Sequence, residues 1–461
     1  MEKSGTQLEK RYGLSTAVGM VVGIVIGSGV FFKSEKILQC TGGNLKLGIL
    51  AWLIGGIVIT SCAYCFAIMA TKYEKVNGLV DYTEALCGSK FAYIIGWFTT
   101  TVYYPSLTIA LAWLCARFTL VLIDKPELTG GPDSGLCLVL SGLYLIISFA
   151  INTLSPRIAG KLQVSCTVIK LIPLLLMAVV GSIYGLTKGC TIENFTTVVE
   201  VVPTGNALFK AVCATAFAYD GWIIATSINS ELRDAKKNLP LALMWGSVAI
   251  VAIYILYYIG LAGGITNAEM MANGQAGAKA AFSAVFGKFG GTALFVFVII
   301  SCFGTLNGLS MGCTRGLYSL AVRNEGPAVD KMKQVDNVTK MPVNSSVAAL
   351  AVCAVWLVFF YCSQLSAVGG YMGMFAFDPT ELPIVTLYAF YIPIFISFMI
   401  KHKELNFFSR FVAPLFAIIS SMFMVFAAVI SHMETVSGYL IIFAVIMLAG
   451  ILLMGKNKKA K

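Results

Sequence analysis

Long runs of apolar residues, separated by short polar segments, repeat along the whole chain. Runs of about twenty apolar residues are long enough for a helix to cross the hydrocarbon core of a bilayer. The third and eighth runs are longer, so we expect those helices to be strongly tilted. The pattern predicts twelve membrane-spanning helices, near Leu14–Phe32, Leu47–Ala70, Phe91–Ile123, Gly135–Asn152, Leu162–Leu186, Ala207–Ile228, Leu239–Gly263, Phe289–Val322, Val343–Cys362, Pro383–Ile400, Phe407–Ile430 and Gly438–Met454.

Composition supports the same class. The chain is 58% apolar and 12% charged, with a mean hydropathy of +0.84, whereas soluble globular domains are about half apolar and a quarter charged. The loops are too short to bury a separate core, although the Ala-rich loop Ala268–Phe286 has helical spacing and predicts a short helix or lid. No cleavable leader is expected before the first span. The sequence therefore predicts an all-α polytopic membrane protein.

Charge predicts the orientation of the chain. Although the formal net charge is +11, the basic residues never form a patch with interleaved aromatics, so no nucleic-acid partner is expected. Loops on the side of the N-terminus hold 22 Lys and Arg residues and the opposite loops, counting Lys33 among them, hold 7. The positive-inside rule then places both termini in the cytoplasm of a cell-membrane protein. Arg117, Arg315 and Lys210, near span ends, are predicted to be interfacial anchors.

Histidine and cysteine give no sign of a metal or cofactor site. The thirteen cysteines fall mostly within apolar runs, and the close pair Cys62 and Cys65 has no second pair or histidine at ligand spacing. The two histidines, His402 and His432, fall at predicted span ends, so a histidine proton relay within the membrane is not expected. Neither a catalytic grouping nor an ion filter is recognisable, so an enzyme and a channel are both disfavoured.

Two of the predicted spans are interrupted by glycines. The first carries Gly27-Ser28-Gly29-Val30, and the sixth carries a carboxylate, Asp220, beside Gly221. The sixth span follows the first by five crossings, so the two run in opposite directions, as an inverted repeat of five plus five helices requires. We therefore predict a first repeat over residues 1–186, a second over 187–400, and helices eleven and twelve with a basic tail over 401–461.

Interrupted helices in a bilayer survive where they face protein or a polar cavity, so the two interruptions predict a ligand site. Free amides at the first suit a carboxylate and free carbonyls at the second suit an ammonium group, which together match a zwitterion such as an α-amino acid. A glycine kink with a snorkelling Asp220 is the alternative reading. The predicted carboxylate-binding residues are Ile26, Gly27, Ser28, Gly29 and Val30, and those for the amino group and gate are Phe217, Ala218, Tyr219, Asp220, Gly221 and Trp222.

Further polar and aromatic residues lie within the predicted spans. Lys170 is too deep for full snorkelling, so we expect its ammonium to hold carbonyls of the first broken helix where other transporters hold sodium; a snorkelling anchor is the alternative. Tyr103, Tyr104 and Tyr254 are possible lining residues, and with Phe217 they would leave room only for small substrates. Asn307 could line the site or link helices.

These motifs resemble the L-type amino acid transporters of the amino acid–polyamine–organocation (APC) superfamily, and in particular bacterial members that exchange serine and threonine. The resemblance covers nearly the whole chain. It rests on Gly27-Ser28-Gly29-Val30-Phe31, Phe217-Ala218-Tyr219-Asp220-Gly221-Trp222, Gly160-Lys161-Leu162-Gln163 and Lys170-Leu171-Ile172-Pro173.

The resemblance implies a LeuT-type fold and sodium-independent exchange of small neutral amino acids by alternating access. It also implies that Phe217 is a gate, that Lys170 replaces a sodium site and that Tyr254 helps to close the site. The chain departs from the family pattern at three places. It has Ser34 where family members have a proline, and the segment Lys75–Tyr82 lacks their glycine pair and their pair of tyrosines. The segment Ser366–Pro379 has no recognised counterpart in the family. The loop Asp124–Ser134 lacks the cysteine that joins animal members to a heavy chain, so no disulfide-linked partner is expected. A proton-coupled or cationic amino acid or amine transporter of the same superfamily is the alternative.

Overall fold

The computed structural model describes residues 13–27, 29–73, 78–131, 133–197, 206–223 and 234–458, and within those ranges the chain is helical with no strand. The α-helices are α1 (Leu14–Val25), α2 (Gly29–Cys40), α3 (Leu45–Lys72), α4 (Leu79–Cys87), α5 (Ser89–Phe98), α6 (Tyr104–Leu122), α7 (Gly135–Leu154), α8 (Pro156–Ile169), α9 (Leu171–Leu176), α10 (Ser182–Lys188), α11 (Cys190–Thr196), α12 (Ala207–Tyr219), α13 (Ala235–Gly264), α14 (Asn267–Asn273), α15 (Gly277–Val322), α16 (Val329–Met332), α17 (Val343–Phe360), α18 (Leu382–Lys401), α19 (Ala413–Ser431) and α20 (Val436–Lys458).

Ten helices in the described ranges are long and apolar enough to cross a membrane. Their outer faces carry apolar side chains, as on α7, where Val139, Leu143 and Ile146 are 66%, 51% and 56% exposed. Such a continuous apolar surface suits lipid. The chain is therefore a multi-pass membrane protein. The other two predicted spans begin at the shorter helices α1 and α12, each of which ends at a predicted interruption.

The first interruption lies where the sequence predicts it. α1 ends at Val25, Ile26 is extended with φ −66° and ψ 102°, and α2 begins at Gly29. The second begins later than predicted, because α12 continues to Tyr219 and the backbone leaves the helix at Asp220 (φ −69°, ψ 161°). Gly221 has φ +97°, a conformation that favours glycine and stops the helix there.

The two unusually long predicted spans contain local irregularities. The third is α5 and α6 joined by a π-helical turn at Thr99–Tyr103. In α15, Gly287 has φ 74° and ψ 162°, which separates a short preceding helix from the membrane-crossing part. That short helix and α14, whose N-terminus is capped by Thr266 and Glu269, confirm the predicted helical character of the loop Ala268–Phe286.

We call the side of the bundle on which α1 begins the proximal side and the side on which α2 ends the distal side. The segment Ser366–Pro379 lies on the distal side and forms 3₁₀ turns at Ala367–Tyr371 and Gly373–Phe375 that lead into α18. Lys33, counted above as a loop lysine, lies instead within α2 with 1% of its side chain exposed. The prediction of a loop residue is wrong because α2 continues to Cys40.

Arg117 is a second correction. It was predicted to be an interfacial anchor, but it is buried on α6, where its guanidinium lies 3.3 Å from the Glu35 carboxylate of α2 and over the ring of Trp113. A buried cation is retained when an anion and an aromatic face compensate its lost hydration. The pair thus fixes α2 against α6 instead of anchoring α6 to lipid headgroups.

Candidate functional site

A cavity of about 140 Å³ lies between the two helix interruptions. It is bounded by the end of α1, the start of α2, the end of α12 and parts of α6 and α15. Its lining combines glycines and apolar side chains with one lysine, one aspartate and one threonine. The lining residues are Val25, Gly27, Gly29, Leu107, Leu111, Lys170, Phe217, Ala218, Asp220, Gly221, Thr305, Gly308 and Leu309.

The start of α2 and the end of α12 are in direct backbone contact beside this cavity. A Cβ added at Gly29 would lie 2.6 Å from Ala218 Cα and 3.2 Å from the Phe217 carbonyl oxygen. Glycine at 29 is therefore required for this close approach. The first amides of α2 and the last carbonyls of α12 have no partner within their own helices, so an amide-rich end and a carbonyl-rich end meet at one place.

Lys170 lies between α8 and α9 and is 3% exposed. Its ammonium donates a hydrogen bond to the Gly23 carbonyl oxygen, one of the last four carbonyls of α1. A cation at this position also complements the negative end of the helix dipole. Because Lys170 lines the cavity as well, it connects the end of the first broken helix with the space in which a ligand would sit.

Tyr254 of α13 joins the two interruptions. Its hydroxyl lies 3.0 Å from the Ala218 carbonyl oxygen and 3.2 Å from the Val25 carbonyl oxygen. Both carbonyls belong to the final turns of their helices, where the last four carbonyls have no partner within the helix, and the single hydroxyl proton is shared between them. Tyr254 therefore stabilises the cavity from behind its wall rather than lining it, which corrects the prediction of a lining residue.

Asp220 faces the cavity at the second interruption. The Tyr103 hydroxyl donates a 2.6 Å hydrogen bond to its carboxylate, which fixes the position of the charged group. Phe217, one turn earlier, lines the cavity on one side and has the Lys33 ammonium 5.2 Å from its ring centroid on the other. Its ring therefore separates the cavity from charged residues on the distal side.

Other predicted site residues serve the packing. The Tyr219 hydroxyl donates to the Trp52 carbonyl at 2.9 Å, and Trp222 packs against Phe66 with ring centroids 5.5 Å apart. Ile26 and Val30 are buried, and Ser28 lies outside the described residues. Tyr104 packs against Tyr103 at 5.3 Å rather than lining the cavity.

Asn307 had two open interpretations, and its contacts favour a link between helices. It accepts a 3.0 Å hydrogen bond from the Asn152 amide of α7 and donates one of 3.2 Å to the Ala159 carbonyl of α8. The cavity wall on α15 is instead formed by Thr305, Gly308 and Leu309. Asn307 therefore lies in the part of α15 that borders the cavity, but its side chain contacts neighbouring helices instead of the cavity.

The sequence analysis did not identify a cluster of charged residues on the distal side. Lys33 of α2 forms a buried ion pair with Glu381 at the start of α18, and His432 at the end of α19 lies 3.2 Å from the same carboxylate. Burial lowers the pKa of His432, but the hydrogen bond and charge of Glu381 outweigh burial and raise it. The helix pattern offered no signal, because these residues fall at span ends, where charged side chains are ordinarily solvated.

An all-helical membrane bundle with two interrupted helices around a buried cavity is the architecture of a membrane transporter. The sequence pattern of the amino acid permease family matches residues 12–452, so the chain belongs to this family of transporters, within the APC superfamily. It is 29% identical over 404 residues to the serine/threonine exchanger SteT of Bacillus subtilis, covering 88% of this chain and 86% of that protein.

Two human transporters are also similar. The large neutral amino acids transporter small subunit 2 is 26% identical over 380 residues, which cover 80% of this chain and 67% of the relative. The b(0,+)-type amino acid transporter 1 is 27% identical over 325 residues, which cover 69% of this chain and 64% of the relative. These similarities confirm the resemblance to the L-type transporters.

Proposed function

We propose that this protein exchanges small neutral L-amino acids across the membrane, independently of sodium, by alternating access. The observation that carries the proposal is the cavity at which the N-terminal end of α2 meets the C-terminal end of α12, bounded by Gly29 and Ala218. The positive end of one helix dipole suits a carboxylate and the negative end of the other suits an ammonium group. An α-amino acid carries both groups on one carbon.

The size of the cavity supports a small substrate. Its volume of about 140 Å³ is well below the roughly 300–1,000 Å³ of pockets for drug-sized ligands. The sequence predicted a small site because four aromatic rings would crowd it. In the structure Phe217 borders the cavity, whereas Tyr104 and Tyr254 pack behind its wall, so the small size has a different cause. A relative named as a serine/threonine exchanger is consistent with this size, whereas relatives named for large neutral amino acids favour a wider site.

Sodium independence is supported by Lys170. Its ammonium holds the Gly23 carbonyl at the end of α1, so a fixed positive charge occupies a position that needs a cation to satisfy freed carbonyls. A bound sodium ion would repeat that role beside an existing charge. The exchanger therefore needs no inorganic ion to order its first broken helix.

The wider architecture belongs to the same proposal. It comprises twelve spans in a LeuT-type fold, with residues 1–186 and 187–400 as inverted repeats, residues 401–461 as an addition, and both termini in the cytoplasm of a cell membrane. The opposite courses of α1–α2 and α12, which meet at the cavity, support the repeat. We also infer that no disulfide-linked heavy chain is needed, since the loop Asp124–Ser134 contains no cysteine.

Asp220 supports a second candidate function. A carboxylate that lines the cavity and is fixed by Tyr103 could bind a cationic side chain or amine, or could carry a proton. In that case the protein would be a cationic amino acid or amine transporter, or a proton-coupled one. We favour exchange of neutral amino acids, because the hydrogen bond from Tyr103 already compensates part of the Asp220 charge.

Counterflow in proteoliposomes tests the proposal. Labelled alanine, serine, threonine, leucine, phenylalanine, lysine and putrescine are offered to liposomes with and without unlabelled amino acid inside. We expect uptake of alanine, serine and threonine only into preloaded liposomes, unchanged by sodium or proton gradients, with competition falling gradually as the side chain grows. Uptake of lysine or putrescine, or uptake driven by a proton gradient into empty liposomes, would support the second candidate.

A further inference from the structure

Three potential metal ligands, one on α12 and two at the ends of α18 and α19, converge on the distal side of Phe217. The Cys213 sulfur of α12 lies 3.8 Å from Glu381 Oε2 and 3.9 Å from His432 Nε2, and the latter two atoms are 3.2 Å apart. Glu381 precedes α18 and His432 follows α19. Cys213 and Glu381 are 168 residues apart and Glu381 and His432 are 51 apart, so sequence spacing predicted no metal site.

The three atoms have the separations of a tetrahedral zinc site. With zinc–sulfur bonds of about 2.3 Å and zinc–nitrogen and zinc–oxygen bonds of about 2.0–2.2 Å, neighbouring ligand atoms lie about 3.4–3.6 Å apart. The observed distances of 3.2–3.9 Å need only small adjustments to match. One thiolate, one imidazole and one carboxylate select a borderline-soft divalent ion over magnesium or calcium, which prefer oxygen ligands.

The charges nearby are compatible with a bound divalent ion. Lys33 pairs with the other carboxylate oxygen, Oε1, and therefore leaves Oε2 to face Cys213 and His432. The Asp378 charge also acts on Lys33 and His432. The Cys213 thiolate, the Glu381 and Asp378 carboxylates, Lys33 and a divalent ion sum to zero net charge. Lys36, whose charge also acts on Glu381, is exposed to solvent, so the ion would be compensated within the buried site.

We propose that Cys213, Glu381 and His432 form a binding site for zinc, with water at the fourth position, and that bound zinc locks the distal side of the transporter closed. Cys213 is one helical turn before Phe217 on α12, so the ion would join the helix that carries the gate to α18 and α19. Binding converts the Cys213 thiol to a thiolate and takes up the neutral imidazole of His432. The thiol proton, and the second imidazole proton when His432 is protonated, pass to water with no change of oxidation state. The effect on exchange rests on the proposed function, whereas the site itself does not.

Direct binding tests the site without reference to transport. The purified protein is titrated with zinc against a chromophoric chelator, and its unfolding temperature is measured with zinc, with magnesium and with neither. We expect one zinc equivalent and a zinc-specific rise in unfolding temperature, since a ligand of the native state stabilises it. Because loss of outer-shell partners alone weakens metal binding by about 10–100-fold, Cys213→Ser and His432→Ala should each weaken binding at least about 100-fold.

Matched variants use the other histidine and a cysteine on the same side. His402→Ala and Cys40→Ser should bind zinc like the unmodified protein. Both ligand variants are first compared with the unmodified protein in metal-free unfolding, so that loss of fold is separated from loss of a ligand. The proposed site is overturned if the unmodified protein binds no stoichiometric zinc. It is also overturned if Cys213→Ser and His432→Ala bind zinc as tightly as the unmodified protein does.

Exchange is then measured with zinc on both sides of the proteoliposome membrane. We expect zinc to inhibit counterflow in the unmodified protein, in His402→Ala and in Cys40→Ser, and not in Cys213→Ser. Tight zinc binding without inhibition of counterflow would overturn the proposed locking role, but it would not overturn the zinc site itself. Tight binding to a protein that exchanges no amino acid would instead overturn the proposed function, so the two failures are distinguishable.

Discussion

Lys33 and Glu381 form an ion pair in the interior of the bundle, although they lie 348 residues apart in the sequence. The pair joins α2, the second half of the first broken helix, to the start of α18. Removing one partner of a buried pair typically costs about 3–5 kcal/mol, because the other charge is left without compensation. The contact is therefore well suited to hold α2 in place on the distal side of Phe217.

Loss of the Lys33 charge should open the distal side. We predict that Lys33→Met accelerates alkylation of Cys213 by a membrane-impermeant thiol reagent, measured in a protein that retains Cys213 as its single cysteine. Lys36→Met is the matched control, since Lys36 lies on the same helix but is exposed, and it should leave the rate unchanged. Equal rates in both variants would show that the ion pair does not limit access to Cys213.

A side chain at residue 29 should separate the two broken helices. Gly29→Val is expected to abolish amino acid binding, because its Cβ would meet the Ala218 backbone at 2.6 Å. Gly142→Val on α7, where a Cβ meets nothing within 4 Å, should bind normally. Binding is measured by scintillation proximity and folding by size-exclusion profile. Near-normal affinity in Gly29→Val would show that the substrate lies elsewhere.

Removal of the Lys170 ammonium should loosen the end of α1. We predict that Lys170→Ala slows exchange roughly tenfold or more, since a buried carbonyl left without a partner costs about 1–3 kcal/mol. The exposed Lys161 provides the control variant Lys161→Ala, which should exchange at the normal rate. Initial rates are compared with and without sodium. A steep sodium dependence of the unmodified protein would contradict the role given to Lys170.

The Tyr254 hydroxyl can be removed with little change in shape. Tyr254→Phe should keep its packing against Trp52 and Tyr219, with ring centroids 5.4 and 5.2 Å away. It loses the one O–H proton that the Ala218 and Val25 carbonyls share, so we expect the free energy of unfolding to fall by about 1–3 kcal/mol. Thermal unfolding in detergent measures this change, with the 92% exposed Tyr371 changed to Phe as control. An unchanged unfolding temperature would argue against the bridge.

Some of these features could be read from the sequence because their signals are local. Glycines within an apolar run indicated the interruption before Gly29, and depth in a span indicated that the Lys170 charge must reach a partner. The second interruption was predicted to begin at Phe217, but α12 continues to Tyr219 and the backbone leaves the helix at Asp220 and Gly221. Local sequence marks where a helix can break but does not mark which flanking residues remain helical.

Other features depend on partners distant in the sequence. Lys33 follows the predicted end of its span, so it resembled a solvated loop lysine until Glu381 was placed beside it. Asn307 suited either a lining or a linking role, and the position of Asn152 distinguishes the two. Lining residues such as Leu107 and Leu111 carry no sequence signal, because a leucine that faces a cavity has the same spacing as one that faces a neighbouring helix.

The central claim is that one cavity binds the carboxylate and the ammonium group of an amino acid together. Inhibition of labelled alanine counterflow by unlabelled alanine, alanine methyl ester, ethylamine, propionate and N-acetylalanine tests this claim most directly. The account predicts that alanine competes and that each analogue lacking either charge competes at least about tenfold more weakly, the equivalent of about 1.4 kcal/mol. Competition by ethylamine or the methyl ester as strong as that by alanine would contradict it, because the start of α2 would then bind no carboxylate.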